Sequence, residues 1–370
     1  MVIVEIKSFS FDYTQTAATI ALNFFSTRLV GRVPTPRSRM KAKRQPVKLQ
    51  AKRAAPTGAQ TYLLGVDGGG TKTRAIVVDA RQKVLGEGEA GPSNPLRVGV
   101  SESAKAVREA AERACVEAGV RRIEIAAAEV GLAGVKRADI RERMRAALKS
   151  ELGIKSTEVV TDADIALYGA TEGKPGLVII AGTGSICCGM NARGRHACAG
   201  GWGPVAGDEG SGSWIARRAL RAVARASDGR GRKTSLVEAA CEFFNVSKAE
   251  DLSTAVYAPN MTNNRIAGFG RRVIEAAKRR DAVAREIVEE AGRELAQAAC
   301  AVIRKLRMEH ERFQVAYVGG VFAAGALMLD PLREEVNAHA PRAYLAPPLL
   351  APAEAAARMA GEQVQLALAG

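Results

Sequence analysis

The chain has few aromatic residues (5%), 3 histidines among 370 residues, and only 6 cysteines, none in CxxC spacing. Too few cysteines and the wrong spacing exclude a disulfide scaffold and a zinc ribbon, and point to a reducing, cytoplasmic setting. His196, His310 and His339 are scattered and form no HExxH pattern, so they read as ordinary surface or core residues. The uncharged stretch Phe313–Leu329 is broken by Gly319, Gly320 and Gly325 and falls short of the ~20 residues that span a bilayer. The turn at Gly182 and Gly184 carries no GxGxxG fingerprint, because Cys187 stands where a third glycine would, and GxxxxGK[ST] is missing from the chain. A dinucleotide-binding Rossmann turn and a P-loop are therefore both disfavoured.

What is present is globular: 47% hydrophobic and 25% charged residues, with a length that suits about two domains. The net charge of +15 is uneven. Residues 1–58 hold eleven Lys/Arg against Glu5 and Asp12, a net +9, which leaves +6 for the other 312. That segment is basic, Pro-punctuated and poor in apolar surface beyond Ile20–Phe25, and two readings of it stand: a disordered or transit-like arm, or a chain that starts at Met40. No aromatics interleave with its basic run, so nucleic-acid binding is not expected, and neither is a membrane role.

From Tyr62 the texture becomes α/β. Tyr62–Val66, Ala75–Val78 and Lys83–Glu89 read as strands, a helix capped by Ser101 runs to Gly119, and Ile123–Leu132, Asp139–Leu152 and Thr157–Thr161 read as strand, helix and strand. The pattern restarts at Leu177–Ala181 with a return along Ile186–Asn191, the signature of a duplicated domain. Helices are expected over about 211–226, 234–244, 262–279 and 281–306, then a strand at 314–318, a helix, and an Ala-rich terminal helix. The break at Glu172–Gly176 sets the division into 59–174 and 175–370.

Four segments carry candidate chemistry. Asp67-Gly68-Gly69-Gly70-Thr71-Lys72 lies between two strands, where glycines at positive φ would let backbone N–H groups face phosphate oxygens and Asp67 could hold Mg²⁺ through water. The competing reading is an ordinary hairpin turn. Gly182-Thr183-Gly184-Ser185 repeats that logic in the second half. Asp162 and Asp164 follow a strand end, where a carboxylate can either take a proton from a hydroxyl or cap the next helix. Gly200–Trp214 packs six glycines into fifteen positions with Trp202, Asp208 and Glu209, a composition suited to clamping sugar hydroxyls against an indole rather than to a linker. Cys187, Cys188 and Cys198 sit on two arms of a hairpin and read as small buried residues rather than a metal site.

Taken in order, Asp67-Gly-Gly-Gly-Thr71, Ser93-Asn94, Gly131-Leu-Ala-Gly134, Thr161-Asp162-Ala-Asp164, Ala181-Gly-Thr-Gly-Ser185, Gly200-Gly-Trp-Gly203, Gly207-Asp-Glu-Gly-Ser211 and Gly319-Gly320 closely resemble the N-acetylglucosamine kinase branch of the BadF/BadG/BcrA/BcrD ATPase family. That branch belongs to the sugar kinase, Hsp70 and actin superfamily. The resemblance implies two ribonuclease-H-like domains closing on ATP, Mg²⁺ and an amino sugar, in a protein that is commonly a homodimer. It makes Asp67–Lys72 and Gly182–Ser185 the phosphate loops, and Gly319 and Gly320 the adenosine contact. It makes Asn94, Gly201, Trp202, Asp208 and Glu209 the sugar pocket, and Asp162 the base on the 6-hydroxyl. The implied activity is ATP-dependent phosphorylation of N-acetylglucosamine, with glucosamine and N-acetylmuramic acid as alternative substrates. Two further alternatives remain: an ATPase that activates 2-hydroxyacyl-CoA dehydratases or benzoyl-CoA reductase, and a sugar-sensing regulator, for which no helix-turn-helix pattern is visible. The zinc motif of the ROK sugar kinases is missing.

Overall fold

The computed structural model describes residues 61–369, with side chains to 366; the expectations for residues 1–58 and Met40 lie outside this range. The described chain belongs to one compact unit, Pro56–Gly370. Its elements run β1 (Tyr62–Gly68), β2 (Thr73–Asp79), β3 (Val84–Ala90), α1 (Pro95–Val98), α2 (Val100–Ala118), β4 (Ile125–Leu132), α3 (Ala138–Leu152), β5 (Ser156–Thr161) and α4 (Asp162–Thr171). They continue with β6 (Gly176–Ala181), β7 (Ser185–Met190), β8 (His196–Gly200), α5 (Gly203–Ala206), α6 (Gly212–Ser227), α7 (Leu236–Phe244), α8 (Leu252–Val256), α9 (Asn263–Lys278) and α10 (Ala282–Leu306). The last are β9 (Gln314–Val318), α11 (Ala326–His339), β10 (Tyr344–Ala346) and α12 (Pro352–Ala369).

Two five-stranded sheets share one topology, β3-β2-β1-β4-β5 and β8-β7-β6-β9-β10. In each, three strands form an antiparallel meander and two more add in parallel beside the first strand. The duplication read from the two glycine turns is therefore real at the level of topology, and each turn joins the first two strands of its sheet.

Apolar periodicity decides which faces are covered. On the first sheet, α2 and α3 bury Leu64, Val66, Ala75, Val77, Val107, Met144 and Leu148 on one side. The opposite side, with Leu63, Ile76, Val78 and Ala127, is closed by Ala353, Ala357 and Ala360 of α12. The terminal helix, grouped with 175–370 by sequence continuity, thus packs on the first sheet. Gly65 permits that approach, since a Cβ there would lie 2.1 Å from the Ala353 carbonyl oxygen. The exchange is reciprocal: α4, which follows the first sheet in sequence, buries Ala163, Ala166, Leu167 and Ala170 against Val178, Cys188 and Ala316 of the second. On its other face the second sheet is covered by a helical core from α6, α7, α9, α10 and α11, built around Phe269, Ile215 and Leu295.

Two local expectations change. α2 begins at Val100 with Gly99 as its N-cap and no side-chain cap, so Ser101 lies inside the helix rather than capping it. Cys188 and Cys198 form a disulfide across β7 and β8, where register brings their Cα atoms to 4.2 Å, and Cys198 is exposed rather than buried.

Candidate active site

Asp67 stands near the end of β1, where the parallel register aligns it with Gly131 of β4, and Gly131 in turn with Val160 of β5. Asp162, two residues beyond Val160, therefore opens at the same sheet edge about 10 Å across, two strand spacings away. Burial and then the negative charge of Asp162 push the Asp67 carboxyl up from 3.8 to about 6, against the pull of Arg74 and Lys72. Burial likewise raises Asp162.

Thr161, not Asp162, is the N-cap of α4. Its hydroxyl accepts from the Asp164 amide at 3.1 Å, and the Asp164 carboxylate accepts from the Thr161 amide at 3.0 Å. This reciprocal box uses Asp164 and leaves Asp162, whose carboxylate accepts from the Ala163 amide at 3.0 Å and from its own amide, at the edge. Of the two readings for this pair, the capping one falls on Asp164 with Thr161.

The first glycine loop turns without any positive φ at Gly68, Gly69 or Gly70, contrary to the expectation. Gly68 answers to crowding instead: a Cβ there would lie 2.3 Å from Ser93 Oγ and 2.4 Å from Leu132 Cδ2. Around it, the buried Thr73 hydroxyl lies 2.7 Å from the Gly91 carbonyl and 2.8 Å from Ser93 Oγ, the Ser93 amide donates to Gly69, and the Ala133 amide donates to Gly68. Thr71 is exposed, and Lys72 turns along the hairpin to pair with Glu89 at 2.7 Å. Asn94 is the N-cap of α1, its Oδ1 accepting from the Leu96 amide at 3.0 Å, and it packs on Gly134.

The second loop is held from behind. The amides of Gly212 and Ser213, at the start of α6, donate to the carbonyls of Gly182 and Thr183, and the Ser185 hydroxyl donates to the Glu209 carbonyl at 2.6 Å. Asp208, buried and at φ 60°, accepts from the Ser185 amide at 3.3 Å and fills the space where Gly184 lacks a side chain. Burial raises its carboxyl, and the amides of Ser185 and Gly203 pull it back. Glu209 and Gly201 are exposed, and Trp202 is 77% exposed. Beneath Trp202 a recess of about 270 Å³ is lined by Ser185, Gly200, Glu209, Glu294 and Gln297. Gly319, at φ 124°, lies so close to the end of β6 that a Cβ would meet the Ala181 carbonyl oxygen at 2.1 Å, whereas Gly320 faces open space.

Gly182, Thr183 and Gly320 line one cavity of about 550 Å³, and most of its remaining wall comes from α7 and α9, including Phe243, Asn264, Gly268, Arg271, Arg272 and Glu275. These α7 and α9 residues escaped sequence reasoning. Gly268-Phe269-Gly270 inside an amphipathic helix was the available signal, since helix-interior glycine costs about 1 kcal/mol and asks for a packing or functional reason. Gly270 sits against Gly212 of α6, and Gly268 leaves room in the cavity beside Phe243. No group of three or more His, Cys, Asp or Glu suited to a metal occurs among the described residues.

The BadF/BadG/BcrA/BcrD ATPase family pattern matches residues 64–359. An N-acetylmuramic acid/N-acetylglucosamine kinase of Clostridium acetobutylicum is 34% identical over 281 residues, 76% of this chain and 92% of that protein. An N-acetyl-D-glucosamine kinase of Dictyostelium discoideum is 30% identical, covering 78% of this chain and 93% of its own. Among solved structures, a candidate N-acetylglucosamine kinase from Chromobacterium violaceum superposes with a TM-score of 0.67 at 30% identity, covering 82% of this chain and 99% of that one. With paired glycine loops at matching corners of two sheets of one topology, and a family pattern running through both, this chain belongs to the BadF/BadG/BcrA/BcrD ATPase family.

Proposed function

We propose that this chain is an ATP-dependent kinase of amino sugars, transferring phosphate to the 6-hydroxyl of N-acetylglucosamine, with glucosamine and N-acetylmuramic acid as the alternative acceptors. The observation that carries the reading is Asp162, uncommitted to helix capping and set at the sheet edge shared with Asp67. In the step proposed, the 6-oxygen forms a bond to the terminal phosphorus, the bridging P–O bond breaks with its electron pair leaving on ADP, and Asp162 takes the hydroxyl proton. Loop amides of Gly68–Lys72 and Gly182–Ser185 would align the phosphates, and the cavity beside Gly320 and α9 would take the nucleoside. Asn94, Gly201, Trp202, Asp208 and Glu209 would border the sugar, with Asp208 acting mainly by holding the second loop in place.

Mg²⁺ fits this site through its donor chemistry. Asp67 is a lone carboxylate whose charge is disfavoured by burial and by Asp162, and one or two carboxylates plus phosphate and water are what Mg²⁺ ordinarily takes. When bound, the ion would neutralise phosphate charge. The lobes, 61–161 with α12 and 176–351 with α4, would exclude water on closing. A homodimer in the cytoplasm completes the proposal; among the described residues no helix is long and apolar enough to cross a membrane.

The activator-ATPase alternative needs accessible cysteines at a subunit interface. The described free thiols Cys115, Cys187 and Cys300 are buried and Cys241 is half-buried, which favours the kinase. A coupled ADP-release assay with Mg-ATP against N-acetylglucosamine, glucosamine, N-acetylmuramic acid, N-acetylmannosamine and glucose tests it. Turnover on one amino sugar supports the reading; sugar-independent ATP hydrolysis alone overturns it.

A further inference from the structure

Three cations surround the first glycine loop, and two of them are neutralised. Lys72 pairs with Glu89 at 2.7 Å and Arg74 with Glu87 at 2.6 Å. Arg97, in the last turn of α1, has no carboxylate partner among the described residues. Its guanidinium lies over the loop: a Cβ on Gly70 would come within 3.1 Å of Nη1 and 3.4 Å of Cζ, so the missing side chain at 70 makes room for it. The segment that carries Arg97 is tied to the same loop by the Ser93 amide, which donates to the Gly69 carbonyl at 3.0 Å.

Arg97 also reaches the second lobe. Its Nη2 donates over 3.5 Å to Oδ1 of Asn264 on α9, a long bond to a neutral acceptor. Asn264 lines the cavity that includes Gly182 and Thr183. A planar five-donor fork is thus held between the two glycine loops with its charge unspent and one weakly bound neutral partner. A tetrahedral dianion is the ligand such a fork matches, two oxygens at a time.

We propose that Arg97 binds the terminal phosphate of the nucleotide, exchanging Asn264 for phosphate oxygens and stabilising the charge that develops as the terminal phosphoryl group passes to its acceptor. This rests on the kinase reading for its acceptor but on the two loops alone for its phosphate. Arg97 gives up no proton; the bonds made and broken are those of the transfer step above.

Calorimetry with ADP and with AMP-PNP, on the full chain and on Arg97→Ala, reads the contact without turnover. Losing a hydrogen-bonded charge should weaken AMP-PNP on the order of 10–100-fold and ADP by less than about threefold. Turnover on the accepted sugar should fall about 10²–10³-fold, as when one transition-state donor is removed, and added guanidinium should restore part of it. Arg97→Lys, which keeps the stem and charge but not the fork, should recover only part of both, and it carries the comparison if the alanine variant does not fold. Equal weakening of both nucleotides, unchanged AMP-PNP affinity, or lost turnover that guanidinium does not rescue would overturn the assignment. A wild-type chain that phosphorylates no sugar yet loses its AMP-PNP preference on Arg97→Ala would sink the sugar reading and keep Arg97.

Discussion

Replacing Asp67 by Asn should make the protein more stable while abolishing its activity. Folding places this carboxyl where burial and Asp162 raise it from 3.8 to about 6, and no side-chain hydrogen bond rewards its charge. Between those values the folded chain holds a proton that the unfolded chain has released, so stability falls as pH rises from about 4 to about 6 and then levels off. At 1.36 kcal/mol per pH unit the gap corresponds to about 3 kcal/mol, an upper figure because the group is partly solvated. Asn has the same shape and no charge. At pH 8 Asp67→Asn should therefore gain about 1–3 kcal/mol, a rise in Tm of roughly 2–8 °C, and at pH 4 nothing. The same variant should lose Mg²⁺-dependent turnover, the usual exchange of stability for function at a charged site. Thermal unfolding of both proteins without ligand at pH 4 and pH 8, beside the ADP-release assay, measures all of this. An unchanged or lower Tm at pH 8 would refute the electrostatic argument, and retained turnover would remove Asp67 from the site.

Asp162→Asn should lower kcat by about 10²–10⁴ with AMP-PNP affinity kept within about twofold, read by turnover and calorimetry. Trp202→Ala, at a residue 77% exposed, should move stability by less than about 0.5 kcal/mol yet raise the sugar KM about 3–10-fold, with the nucleotide KM unchanged. Gly268→Leu should fill the α9 cavity beside Phe243, whose Cζ is 3.2 Å from the position of an added Cβ, raising the ATP KM roughly tenfold or more while helix propensity limits the loss in Tm. Glu129, buried in β4 and raised to about 7 by burial and by Glu158, opposes folding increasingly from pH 4.5 to 7. Glu129→Gln should gain about 1–3 kcal/mol at pH 8 and none at pH 4, measured by urea unfolding.

Asp162 and Asp164 mark how far local reasoning reaches. Both sit where a carboxylate can cap or catalyse, and adjacent sequence cannot divide the roles, because the decision lies in which oxygen meets which amide once Thr161 has turned. The glycine loops were legible as loops, yet the reason for their glycines was not: Gly68 is required by Ser93 and Leu132, more than twenty residues away, rather than by a positive φ. Asp208 read as a sugar clamp from its neighbours Trp202 and Glu209, while its contacts with Gly184 and the Ser185 amide depend on the hairpin that folds against it.

Short-range pattern by itself determined the strands and helices, the two glycine turns, the repeat that pairs them and the family motifs, since apolar periodicity and turn chemistry act within a few residues. Tertiary structure alone decided the exchange of α4 and α12 between the sheets, the Cys188–Cys198 pair, the α9 wall of the cavity and the place of Arg97 between the loops. Each of these joins segments distant in the chain, and which distant segments meet is set by the packing of whole faces, a property that no local stretch of sequence contains.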